Sequence, residues 1–169
     1  MDEMRENDYE VLAKLEEAFE RKDVQFFKSF LRNTEVLPLL LRVHSVCMLE
    51  HIGTEEMVEP LCTVLAKDAS PLTRHEAAFT LGQLGYRSAV SALVEAMHHD
   101  ESAIVRHECA VALSSIGDDE VIPELKRAME DEDEEVRNSA LIASEYLGYI
   151  RRKRERAVDK FAVKPKIRL

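Results

Sequence analysis

Between residues 56 and 130 the apolar side chains fall into three short stripes: Val58, Leu61, Leu65; Val90, Leu93, Met97; Ile122, Leu125, Met129. Each stripe has the i, i+3, i+7 spacing that keeps one face of a helix apolar. The stripes begin 32 residues apart, and other features keep step with them. Arginines recur at 42, 74, 106 and 137, glycines at 53, 85, 117 and 148, and Asp68, Asp100 and Asp131 each precede an arginine by six residues. No segment alternates with the period of two that a half-buried strand requires.

Each unit therefore reads as helix, short turn, helix, with the glycine ending the second helix in a left-handed cap. A single hairpin of this size cannot bury its apolar face, so neighbouring hairpins must stack. The expected fold class is all-α, an α-α superhelix or solenoid. Helices are expected over 8–21, 24–33, 38–52, 56–67, 71–84, 88–98, 103–116, 120–130 and 134–150. The Asp-x5-Arg spacing is expected to tie each turn to a second helix, of its own unit or the next.

The ends differ. Residues 1–35 predict a modified capping unit, with one amphipathic helix (Tyr9, Leu12, Leu15, Phe19) and one aromatic helix (Phe26, Phe27, Phe30, Leu31). Residues 36–150 hold the repeats. Residues 151–169 form a basic tail that opens with Arg151-Arg152-Lys153-Arg154 and runs to Lys164-Pro165-Lys166. RNA contact and a localisation signal are two uses of such a run; a solvated, fraying terminus is commoner.

Composition narrows the class. A length of 169 residues suits one domain with a sizeable core. The chain is 46% hydrophobic with five glycines, five prolines and no tryptophan, a balance that favours helix. No run approaches the length of a membrane span, and the N-terminus is acidic rather than signal-like. Cys47, Cys62 and Cys109 are isolated, which points to free thiols in a reducing cytoplasm. The net charge of −10 divides unevenly: residues 151–169 carry nine Lys/Arg against Glu155 and Asp159, a sum of +7, leaving −17 on residues 1–150. Such an acidic body repels nucleic acid and attracts basic ligands.

The candidate chemistry lies in the second helices. Arg74-His75-Glu76 and Arg106-His107-Glu108 occupy equivalent points of two consecutive units. Packed helices lie roughly 8–10 Å apart, so two imidazoles reaching from equivalent positions are expected to meet at one ion. Two histidines and a carboxylate form the facial set that suits ferrous iron and leaves positions open for water or dioxygen. The remaining carboxylate is free to hold water or a cationic substrate.

The preceding unit has Val43-His44 at these points and the following unit Asn138-Ser139, so the pair is confined to two units. Phe79 and Val111 stand where a zinc-protease motif or a helical-bundle di-iron motif needs histidine. His98-His99 is expected to face solvent, and His44 and His51 to be ordinary surface or partly buried residues. A capping or arginine-pairing role is the structural alternative for each His-Glu pair.

Pro71-Leu72-Thr73-Arg74-His75-Glu76, Leu81-Gly82-Gln83-Leu84 and Val105-Arg106-His107-Glu108-Cys109-Ala110 resemble deoxyhypusine hydroxylase, over about residues 36–148. The resemblance implies HEAT-like repeats of the phycobilisome-lyase type and a non-haem di-iron monooxygenase. Such an enzyme hydroxylates the deoxyhypusine side chain of a translation factor, a basic protein substrate. By position, His75, His107 and Glu108 would ligate iron (Fe2+), with Glu76 beside water or substrate; Glu76 and Glu108 are the candidate catalytic carboxylates.

The family carries two such halves and four His-Glu pairs, whereas this chain has one half and two pairs. A di-iron centre would then need a homodimer with identical faces meeting across a two-fold axis. The competing expectation is a HEAT-like scaffold that binds a protein partner without catalysis.

Overall fold

In the computed structural model, which describes residues 5–32 and 37–161, nine helices account for the described secondary structure apart from short 3-10 turns. They are α1 (Glu6–Glu20), α2 (Val24–Phe30), α3 (Leu39–Ile52), α4 (Val58–Lys67), α5 (Pro71–Leu84), α6 (Val90–His99), α7 (Ala103–Ile116), α8 (Ile122–Ala128) and α9 (Glu134–Phe161). Each of α4, α6 and α8 is entered through one 3-10 turn: Glu55–Met57, Arg87–Ala89 or Asp119–Val121. The second helices α3, α5, α7 and α9 pack side by side in one layer. Helices α4, α6 and α8 form the other layer. This is an all-α solenoid, and no strand occurs among the described residues.

The three expected stripes point into the seam between the layers. Leu61, Leu93, Met97 and Leu125 are fully buried there, against Leu81, Leu113 and Leu147 from the second layer. Gly53, Gly85 and Gly117 end α3, α5 and α7 with φ of 70°, 73° and 77°, a region that disfavours any side chain. Helices α5 and α7 approach closely at Gly82. A Cβ on Gly82 would lie 2.8 Å from the Ala112 Cα, so only glycine allows this spacing.

A ladder of buried arginines joins the units. Arg74 donates through Nε and Nη2 to Asp100 of the next unit, at 2.7 and 2.9 Å, and through Nη1 to the Asp68 carbonyl of its own turn, at 2.8 Å. Arg106 repeats this arrangement with Asp131 and the Asp100 carbonyl. The Arg106 guanidinium holds the Asp131 carboxyl below its ordinary range, against the opposing effect of burial. Each aspartate also accepts from the backbone N–H two residues on, at Ser70, Ser102 and Asp133. Each aspartate turn is thus tied to the second helix of its own unit through its carbonyl and to that of the preceding unit through its carboxylate, not to the next unit as the spacing had offered.

Several expectations need correction. Gly148 does not stop α9, which continues without a break to Phe161, so residues 151–161 are helical. The residues after Gly148 are strong helix formers, and Arg151 pairs with Glu155 one turn on at 3.2 Å. Lys164-Pro165-Lys166 lie outside the described residues. Tyr9 is 60% exposed, whereas Leu15 of the same stripe is buried as expected, with Ala18 beside it. His98 is not solvent-facing: only 13% of its side chain is accessible, and its Nε2 sits 3.0 Å from Glu124 on α8. His99 is exposed. No described helix is long and apolar enough to cross a membrane.

Candidate metal centre

Both His-Glu pairs lie in the first two turns of their helices, just after the ladder arginines that fix α5 and α7 in register. The histidine, one residue past a buried arginine, is therefore carried by a rigid backbone. In both units it reaches forward to the same place on the next helix, the second residue after that helix's ladder arginine. For His75 that residue is Glu108; for His107 it is Ser139.

His75 Nε2 lies 3.3 Å from Glu108 Oε2, and its Nδ1 lies 3.5 Å from Glu76 Oε1. The Glu108 side chain is 9% accessible and that of His75 22%. Glu108, by hydrogen bonding, raises the His75 pKa above its ordinary value of 6.5; burial opposes this, and the Glu108 and Glu76 charges reinforce it. His75 Nδ1 is a buried nitrogen without a hydrogen-bond partner. On its other oxygen, Glu76 accepts from the Cys47 thiol of α3 at 3.6 Å. Burial, followed by the Glu76 charge, raises the Cys47 pKa to about 11, so this thiol is held neutral.

His107 Nδ1 is 2.7 Å from Ser139 Oγ, and the Ser139 hydroxyl lies 2.8 Å from the Glu135 carbonyl. A hydroxyl has one proton. If Ser139 gives it to the carbonyl, which can only accept, then His107 Nδ1–H must be the donor to Ser139. That assigns the Nε2 lone pair as the free one. The two histidines therefore differ: His107 keeps Nε2 for a ligand bond, whereas His75 already engages Glu108 through Nε2 and its Nδ1 has no hydrogen-bond partner. For His107 this is the arrangement in which an outer hydrogen bond fixes the tautomer of an imidazole and leaves the other nitrogen for a metal.

The donor types suit a divalent iron. Adjacent ligands on an octahedral ion bound at about 2.1 Å stand roughly 3.0 Å apart, close to the 3.3 Å between His75 and Glu108. Among the described residues, however, no group of three His, Cys, Asp or Glu is gathered as a metal site. The structure brings together His75, Glu76 and Glu108, and it gives His107 to Ser139.

Ser139 and Cys47 were missed by sequence reasoning. Ser139 aligns with Glu76 and Glu108 in the repeat, but a serine there carries no metal-ligand signal. No sequence signal singles out Cys47 as a neighbour of Glu76.

The HEAT-repeat profile matches residues 58–145. The chain belongs to the HEAT-repeat family. Among curated proteins no sequence match is found. Among solved structures, human deoxyhypusine hydroxylase in complex with glycerol superposes with a TM-score of 0.69 at 32% identity. The match covers 76% of this chain and 44% of the human one, so the chain spans less than half of that relative's length. The protein is a deoxyhypusine-hydroxylase-like HEAT-repeat protein.

Proposed function

We propose that this protein is a non-haem iron hydroxylase resembling deoxyhypusine hydroxylase, acting on a cationic, deoxyhypusine-like side chain of a basic protein such as a translation factor. The observation that carries this reading is the contact between His75 Nε2 and Glu108 across two units, with Nε2 of His107 left available by Ser139. The 32% identity to the human hydroxylase supports it, as does the acidic body. In this reading His75, His107 and Glu108 ligate iron, which would supply dioxygen activation. Glu76 holds water or the substrate cation, and the −17 body draws a basic substrate in. A second copy supplies the second iron, its His-Glu face meeting the first. Such an enzyme works in the cytoplasm, beside its translation-factor substrate.

The competing reading is a HEAT-repeat scaffold that binds a protein partner without catalysis. It is favoured by the absence, among the described residues, of a ready-made three-donor group.

Metal analysis of the untagged chain loaded anaerobically with ferrous iron separates the two. The hydroxylase reading expects iron stoichiometric with the chain and oxygen-dependent hydroxylation of a basic protein substrate. It also expects His107→Ala to lose the iron while keeping its helical circular dichroism. A wild-type chain that retains no iron overturns it.

A further inference from the structure

In α9 the solenoid presents a helix unlike the other second helices. It spans 28 residues, against 14 in each of α3, α5 and α7, and no further described helix packs on its outer side. Leu141 stands where α5 and α7 have Ala78 and Ala110, both fully buried; here the larger side chain is 47% exposed. Ile142, Tyr146 and Tyr149 follow at helical spacing and are 69%, 51% and 55% exposed. Exposed Glu134 and Glu135 precede this apolar centre, and exposed Arg151–Arg156 follow it.

The order along the exposed face is acidic, apolar, basic, and the face is its own complement when reversed. Glu135 and Arg156 are placed symmetrically about the midpoint between Glu145 and Tyr146. Ile142 and Tyr149 are symmetric about that same midpoint. We propose that α9 pairs antiparallel with α9 of a second copy, on a two-fold axis at this midpoint. Glu135 of each copy then meets the other's Arg156 at the two ends, about 32 Å apart, while Ile142 packs on Tyr149 at the centre. A two-fold contact demands such self-complementarity, whereas a different partner would not. Parallel pairing would set like charges against each other.

The proposal does not rest on the hydroxylase reading. Ser139, which holds His107, is 6.5 residues from the midpoint, so the two metal centres would lie about 20 Å apart along the helix axis. The α9 contact thus neither merges them nor needs iron, although Ser139 stands at the flank of the paired face, three residues before Ile142. Two long helices make a small interface, for which dissociation in the micromolar range is expected.

Sedimentation equilibrium of the full chain in the presence of a chelator tests this. The expected result is a metal-free dimer. Ile142→Glu, at an exposed position, should weaken it at least about tenfold without loss of helical signal. Glu135→Arg and Arg156→Glu should each weaken it, and the two together should restore it. A monomer at every concentration up to about 100 µM, or a dimer indifferent to Ile142→Glu, overturns the proposal. A further association that appears only with iron would report on the His-Glu faces, so the two readings fail separately.

Discussion

His75 and His107 share a sequence context, a helix position and a direction of reach, yet they meet different chemistry. His75 finds a carboxylate, Glu108, and has a second, Glu76, at its other ring nitrogen. His107 finds a hydroxyl already engaged with a backbone carbonyl. In a repeat protein the period fixes where a side chain points, and the neighbouring unit decides what it finds. A site built this way belongs to pairs of units, so the Asn138-Ser139 unit, which lacks the His-Glu pair, still supplies the partner of His107.

The largest disturbance should come from Arg106→Ala, because α7 carries both Glu108 and His107. Removing the guanidinium leaves Asp131 and the Asp100 carbonyl without their buried partner, at a cost of about 3–5 kcal/mol. Urea denaturation should show the loss, and the NMR signals of both histidines should shift together.

A narrower break is Gly82→Ala. Its new methyl group presses on Ala112 and forces α5 from α7, at about 1–3 kcal/mol. This should loosen His75 from Glu108, seen as a fall of the His75 pKa toward 6.5, while leaving the His107–Ser139 pair intact. If both histidines move equally, the two contacts are not independent.

Ser139→Ala addresses the other side. It should reduce iron affinity about tenfold and mix the His107 tautomers in nitrogen-15 spectra, with His75 unaffected; Ser139→Thr should restore both.

The smallest effect is on the pH dependence of stability. Because Glu108 raises the folded-state pKa of His75 above its unfolded value of 6.5, the pairing contributes fully below 6.5. That contribution is lost as pH rises through the folded-state value. Glu108→Gln should flatten the stability profile in this window, as measured by thermal denaturation at a series of pH values.

The layered solenoid was legible because its signals are local and repeated. Gly53, Gly85 and Gly117 cap as their spacing implies, and Leu61, Leu93 and Leu125 fill the seam. Gly148 was misleading, since a glycine ends a helix only where the following residues leave it, and those after Gly148 favour helix. The burial of His98 against Glu124 was not legible, because it depends on how closely α6 approaches α8. His75, Glu76, His107 and Glu108 could be named from residue type and period alone.

The sequence by itself determined the repeat, the period of its arginines and the two units that carry His-Glu pairs. Each of these follows from spacing along one chain and from helix geometry. Only the tertiary structure decided that His75 pairs with Glu108, that Ser139 orients His107 and that His98 lies against Glu124. Those outcomes depend on distances between helices far apart in sequence. Such distances are set by how closely backbones such as those at Gly82 and Ala112 can approach.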